Sequence, residues 1–436
     1  MSFVGVRQIE PLNRGFLYID SEKNSQDIAA LVKLDSEPEI DGIRSRIVQL
    51  VDSVPNLGFC VDQERRRLRP AETSWVAQDN FSEINLRLEG GQTLEKHLGE
   101  ICSGMLCADK PAWSITLIHA QEGGQVSKAE FSLLLRAHHV IADGLSLIEM
   151  ARFLGGSSRE KSLEQQYQSL PKFRNSQQSL ATEKEHQTEK GLFSILRQLF
   201  RDVIRKRSYG PFNGENSGTR RLVMFDLPVS ILRKIKADQD CSLNDLVLGI
   251  VSGALERYQH QKSLKAKRTF VLVPVDLRKF SERLRIGNAI SFFRFQLPVG
   301  TDPKAGTDWE RVREISRITN SSEAESSKKT YKIAGRVLSW LPAPLASWLA
   351  KRTMSQNGFI CTNVPHFRGE IYVAGAKVTG IYGVTALLPG NGLGFSFVGY
   401  KDHYNVSIIT DPGVVSDPEL LQQSCLDTFE TIVMNQ

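Results

Sequence analysis

Two adjacent histidines, His138 and His139, close an apolar run in "LLLRAHHVIADGLSLIEM", residues 133–150, and Asp143 and Gly144 follow before a helix-like pattern begins. A neutral imidazole with one free ring nitrogen can take a proton from a hydroxyl or amine as that group attacks a carbonyl. Asp143 can accept from backbone N–H groups or hold a cation, and Gly144 offers the backbone freedom for a tight reversal into a helix. The plainer alternative is a pair of satisfied polar residues at a strand end, where histidines are common.

Chemistry at His139 needs rigid support. "AWSITLIHA" and "FSLLLRAHH" read as strands separated by "QEGGQVSK", the first alternating and the second apolar on both faces, which predicts a central strand covered on both sides. The end of such a strand is the usual place for chemistry in open α/β sheets. Upstream, "IDGIRSRIVQLVDSVPNLGFCVD" has helical spacing that stops at Pro55.

From residue 155 to about 221 the composition turns to Ser, Gln, Glu and Lys, the signature of a crossover or linker. Within it, residues 191–207 place Leu192, Phe193, Ile195, Leu196, Leu199, Phe200, Val203 and Ile204 on one helical face, with Arg197, Arg201, Arg205 and Lys206 opposite. Such a helix either docks on the protein's own core or lies on an anionic lipid surface. The expected division is an N-terminal lobe, 1–154, a crossover, 155–218, and a C-terminal lobe, 219–436.

The second half opens with the strand "RRLVMFDLP" and a helix after "DCSLND", with Asn244 and Asp245 in its first turn or at its cap. "RTFVLVPVDLR" and "NAISFFRFQLPV" read as strands, and "GFICTNVPHF" onward is strand-rich. Residues 332–352 form two apolar amphipathic pieces broken by Pro342 and Pro344. At helical spacing their Trp340 and Trp348 read as core first, with a membrane interface or an acyl channel as alternatives.

The 436 residues suit two domains with a cleft, and 41% hydrophobic with 24% charged residues describes a globular chain. A net charge of +6 suits anionic partners such as phosphorylated cofactors or acidic lipid surfaces, but nothing in the sequence resembles a nucleic-acid-binding signature. Six scattered cysteines without a CxxC pair and an opening "MSFVGVRQIE" unlike a signal peptide predict a reducing, cytoplasmic setting. No apolar run reaches the roughly 18 to 20 residues of a membrane-spanning helix, so any membrane contact is expected to be peripheral.

"HHVIADG" resembles the HHxxxDG signature of the acyltransferase superfamily that includes chloramphenicol acetyltransferase, peptide-synthetase condensation domains and the bacterial wax ester synthase/diacylglycerol acyltransferases. Further segments resemble the last family in order: "PAW" its PLW element, "NDLVLGIVSGALERY" its ND helix, "VPVDLR" its VPVSLR strand, "GNAISFFRF" its GN-x-x-S-F strand, "TNVPHF" its SNVPGP element and "IYVAGA" its LYLAGA element. The likeness runs from about residue 100 to the C-terminus. It departs at His366 and Phe367, where the family has Gly and Pro, and in the first hundred residues.

The resemblance implies an α/β (α+β), two-lobed chloramphenicol-acetyltransferase-like fold, each lobe a mixed sheet with helices, with a tunnel between the lobes. It makes His139 the general base and gives His138, Asp143 and Gly144 supporting roles, with Arg278 as a candidate ion-pair partner of Asp143. Asn244, Thr362 and Asn363 become candidate donors to the oxyanion, against their plainer roles as helix cap and turn residues.

The implied reaction carries a fatty acyl group from acyl-CoA, a co-substrate, to a lipophilic alcohol or diacylglycerol, with no cofactor and no metal. Two alternatives stand beside it: a condensation-like enzyme that acylates a natural-product hydroxyl or amine from an acyl carrier protein, and an inactive lipid-binding protein of the same fold. Contact with a membrane or lipid-droplet surface is open. "GNGLG" at 390–394 lacks the spacing and helix of a phosphate loop and reads as a turn; there is no GxSxG elbow or Walker motif, and the histidines and cysteines show no zinc spacing.

Overall fold

The computed structural model describes residues 7–62, 67–72, 74–122, 129–155, 210–239, 241–264, 269–278, 285–300, 307–321, 331, 333–367 and 369–435. The basic helix expected at 191–207 lies outside them, as does most of the 155–218 crossover.

Along the first half run β1 (Arg7–Gln8), α1 (Pro11–Ile19), β2 (Asp27–Leu34), α2 (Ile40–Ser53), β3 (Phe59–Asp62) and β4 (Arg67–Pro70). Then come β5 (Phe81–Leu88), α3 (Leu94–Ser103), β6 (Trp113–Glu122), β7 (Ala129–His138) and α4 (Gly144–Phe153). The second half contributes β8 (Arg221–Pro228), β9 (Thr269–Asp276), β10 (Ile290–Leu297), β11 (Phe359–Phe367), β12 (Tyr372–Val373), β13 (Ala376–Val384), β14 (Leu393–Tyr400) and β15 (His403–Thr410). Its helices include Leu243–Gln261, Asp308–Thr319, Ala343–Met354 and Pro418–Met434.

Among the described residues these strands form two six-stranded sheets, β12-β13-β2-β7-β6-β5 and β10-β9-β11-β14-β15-β8, and a small sheet β1-β4-β3. Both large sheets are mixed: β5 runs parallel to β6, and β11 runs parallel to both β9 and β14, while the other pairs are antiparallel. β7 is central, and its Leu133, Leu134 and Leu135 are fully buried, as a strand apolar on both faces requires.

The sheets do not divide along the sequence where the composition changes. β13, far down the second half, pairs antiparallel with β2, Ile381 opposite Val32 and Tyr382 opposite Leu31, and so completes the sheet that carries His138. The reason is burial: β13 is buried at six of its nine positions, and a strand of that kind needs a hydrogen-bonded neighbour on the core side.

The helix Leu243–Gln261 starts at a capping box in which Ser242 Oγ accepts from the Asp245 N–H at 3.1 Å and Asp245 Oδ2 accepts from the Ser242 N–H at 2.8 Å. Ser242 is therefore the cap, and Asn244 is a residue of the first turn.

Trp340 and Trp348 overturn their core reading. They are 79% and 55% exposed, with Leu345 exposed beside them. The buried face of Ala343–Met354 is its small-residue stripe, Ala346 and Ala350, which admits close packing on α1; Ser347 Oγ donates to the Tyr18 carbonyl at 2.6 Å. Close packing through alanines turns the large side chains outward.

Candidate active site

β7 ends at His138 and α4 begins at Gly144, so the histidines and Asp143 sit in the connection between a buried strand and a buried helix. Asp143 is the N-cap of α4: its Oδ1 accepts from the Ser146 N–H at 3.1 Å and from Ser146 Oγ at 3.0 Å. Its Oδ2 accepts from the Ala289 N–H at 3.0 Å and lies 2.7 Å from Arg278 Nη1.

Arg278 is only 2% exposed at its side chain and uses all the N–H groups a guanidinium owns. Nε donates to the Arg285 carbonyl, Nη1 faces Asp143 and Asp276, and Nη2 donates to Ser146 Oγ at 3.1 Å and to the Gly287 carbonyl at 2.7 Å. Burial opposes the charged guanidinium, but Asp143 and Asp276 outweigh it and hold its pKa above the ordinary value. The cluster joins the His139–Asp143 turn to β9 and to the chain entering β10. Gly144 does not use the backbone freedom expected of it: it stands in the first turn of α4 outside the positive-φ residues, and an added Cβ would meet only Val364 Cγ2 at 3.8 Å.

His139 is held at its backbone and its ring. Its N–H donates to the Gln26 carbonyl at 3.0 Å and its carbonyl accepts from Asn288 Nδ2 at 2.6 Å. The Phe16 ring of α1 stacks on the imidazole at 4.3 Å between centroids, with 13° between planes. Burial lowers the pKa of His139 to about 4, Asp143 opposing and His138 reinforcing the shift. The ring is therefore neutral at pH 7. Its Nδ1 is sealed from solvent without an aligned hydrogen bond, which leaves Nε2 for a ligand in the cavity that the residue lines.

His138 points elsewhere. Its Nδ1 accepts from the Val140 N–H at 3.1 Å, which leaves Nε2 as the ring's donor nitrogen, off-axis 3.3 Å from Asp20 Oδ2. Asp20 is fully buried, and its other oxygen accepts from the Gln26 N–H at 2.9 Å. Asp20 thus braces both histidines, one directly and one through Gln26.

The cavity, about 100 Å³, lies between the two large sheets. Its walls are mostly apolar, among them Ile28, Ile148, Ile290, Ile360 and Val364, and the polar groups in it are His139, Asp143, Asp276, Thr362, Asn363, Thr385 and Ser396. Thr362 and Asn363 come from β11; Asn363 Oδ1 is buried without a partner, and the Asn363 side chain bonds the Tyr404 hydroxyl. Asn244 is not among the lining residues. The sequence reading passed over Phe16, Asp20, Gln26 and Asn288. Only Asn288 had a local signal, the GN pair that opens the β10 strand motif.

Such an arrangement, a neutral buried imidazole at an apolar cavity with the Thr362 and Ser396 hydroxyls on the opposing sheet, can remove a proton from a bound hydroxyl and donate to a developing oxyanion.

Residues 9–247 match the family description "Wax ester synthase/diacylglycerol acyltransferase catalytic domain", and residues 286–433 match the "WS/DGAT C-terminal domain". The O-acyltransferase WSD of Acinetobacter baylyi is 24% identical over 337 residues, 70% of each chain. The solved wax ester synthase/diacylglycerol acyltransferase from Marinobacter aquaeolei VT8 superposes with a TM-score of 0.66 at 16% identity, over 98% of this chain and 99% of that one. A starter condensation domain of rhizomide synthetase RzmA, solved as a mutant in complex with C8-CoA, gives 0.59 at 12% identity, over 98% and 94%. At these identities the two structures share the fold.

Proposed function

The chain belongs to the wax ester synthase/diacylglycerol acyltransferase family, and on that premise we propose that it carries a fatty acyl group from acyl-CoA to the hydroxyl of a lipophilic alcohol or diacylglycerol. The observation that carries this reading is a neutral His139 with one nitrogen sealed and the other free at an apolar cavity.

His139 Nε2 takes the proton of the acceptor hydroxyl as its oxygen attacks the thioester carbonyl. The C–O bond forms, and the carbonyl becomes an oxyanion for which the Thr362 hydroxyl, on the same face of β11 as Ile360 and Val364, is the candidate donor; the Asn363 side chain lies on the other face, against Tyr404. Collapse breaks the C–S bond, and the imidazolium returns its proton to the thiolate. The Asp143 charge favours the imidazolium during this step, while Arg278 keeps Asp143 from swinging into the cavity. No acyl-enzyme and no cofactor are required. The fold neighbour solved with C8-CoA supports an acyl-CoA donor for this architecture.

Among the described residues no helix is long and apolar enough to cross a membrane. Trp340, Leu345 and Trp348 support a peripheral contact instead: exposed tryptophans suit a lipid interface, and Lys351 and Arg352, one turn beyond Trp348, suit an anionic or lipid-droplet surface.

Thiol release from palmitoyl-CoA with a panel of long-chain alcohols tests the reaction. Turnover by the wild type that His139→Ala abolishes supports it; full turnover by the variant overturns it. Activity only with an acylated carrier protein moves the donor to the condensation-like alternative.

A further inference from the structure

Asp276 introduces a second carboxylate into a cavity that a purely lipophilic acceptor would not need. It ends β9 opposite Ile290, on the same strand face as Pro274, and both line the cavity with His139. Its Oδ1 is engaged, accepting from the Arg278 N–H at 3.0 Å and from Arg278 Nη1 at 3.2 Å. Its Oδ2 has no hydrogen-bond partner among the described residues, and the side chain is 28% exposed.

Arg278 cannot supply the missing donor, because its other N–H groups are held by Asp143, Ser146, Gly287 and Arg285. One guanidinium therefore faces two carboxylates. The surplus negative charge lies at the Asp276 end, since Asp143 has both oxygens bonded.

From this we infer that Asp276 selects acceptors that carry a second hydrogen-bond donor beside the reacting hydroxyl, such as a vicinal diol or a 2-amino alcohol with a lipophilic tail. The inference rests on the acyl-transfer reading above and narrows its acceptor class. A second hydroxyl or an ammonium group satisfies Oδ2. A plain alkyl alcohol displaces its water and gives nothing in return, and a site built on a polar contact discriminates against the analogue that lacks it.

Asp276→Asn is the informative change, because the amide oxygen keeps the Arg278 contacts while an NH2 donor replaces the free acceptor. The experiment compares wild type and variant with 1-decanol, 1,2-decanediol and 2-amino-1-decanol, using thiol release from one acyl-CoA. Direct acceptor binding to the resting enzyme is measured by calorimetry, and thermal unfolding checks the fold.

The wild type is expected to favour the two bifunctional acceptors over 1-decanol by about tenfold in kcat/KM and in binding, and the variant to lose that ratio. A stronger preference for the amine than for the diol assigns the contact to a cation; equal preference assigns it to any donor. A wild-type ratio near one, or a ratio that survives Asp276→Asn, overturns the inference. So does a variant whose defect is confined to the KM of acyl-CoA, which places Asp276 on the donor. If thiol release fails with every acceptor, the acyl-transfer reading falls, while the calorimetric ratio still decides the role of Asp276.

Discussion

Phe16 lies almost flat on His139, 4.3 Å between ring centroids, and Phe16 belongs to the same short helix, α1, that leads directly into Asp20. One helix thus fixes the plane of the base and, through Asp20 and Gln26, the backbone beneath it. Phe16→Ala should lower kcat by about 10-fold to 100-fold through loss of orientation, with a smaller change in the KM for acyl-CoA. Steady-state kinetics separates this from a loss of substrate binding, which would raise KM and leave kcat.

Removing the base itself has a larger effect. His139→Ala should reduce acceptor-dependent thiol release by about 10²-fold to 10⁴-fold, while the thermal unfolding midpoint changes little or rises, since a buried polar ring is replaced. A variant that keeps more than a tenth of the wild-type rate would exclude His139 as the base.

The acidic pKa of His139 gives a signed pH prediction. The base works only when neutral, so kcat/KM should stay level as pH falls below 7 and decline near pH 4, well below the ordinary imidazole range. Stability follows the same linkage: the folded pKa is below the unfolded value of 6.5, so the contribution is complete above 6.5 and is lost as pH falls from 6.5 through about 4. Asp143→Asn removes a charge that raises the pKa and should move the kinetic limb further to acid. Stopped-time assays from pH 3.5 to 8 read both limbs.

Arg278→Ala leaves the buried Asp143 carboxylate without its cationic partner and removes one of the donors to the Gly287 carbonyl, which keeps Ser146 Oγ at 2.6 Å. The expected cost is about 3 to 5 kcal/mol in urea unfolding. Arg278→Lys should recover only part of it, because an ammonium group cannot span the two carboxylates and three further oxygens that the guanidinium meets.

Changing Trp340 and Trp348 together to Ser should weaken association with anionic vesicles by about 10-fold or more, and raised salt should weaken the wild type through Lys351 and Arg352. Co-sedimentation reads both effects. Unchanged pelleting of the double variant would remove this face from membrane contact.

What the sequence made legible is what lies close together in it. His138, His139, Asp143 and Gly144 form one contiguous motif, and the strand and helix around it follow from local apolar periodicity. The Arg278 pairing is long-range and came from a family motif on β9, not from spacing. Asp20, Phe16 and Gln26 were invisible because they touch the histidines only through the pairing of β2 with β7, which carries no local mark at residues 16–26. The tryptophans misled for a related reason: periodicity says that a helix has an apolar stripe, but which stripe is buried was decided by Ala346 and Ala350 packing on α1. Asn244 followed its motif correctly into a helix start, yet that end of the helix does not reach the cavity.

The pairing of β13 with β2 also constrains how the molecule is made. On the ribosome, β2 emerges more than 300 residues ahead of its partner at 376–384, so β2 waits with an open edge while all of that intervening chain is made. A chain stopped before residue 376 cannot finish the sheet that holds His138, however intact its histidine motif. Prematurely terminated products of this protein are therefore targets for chaperones and proteases, not smaller enzymes.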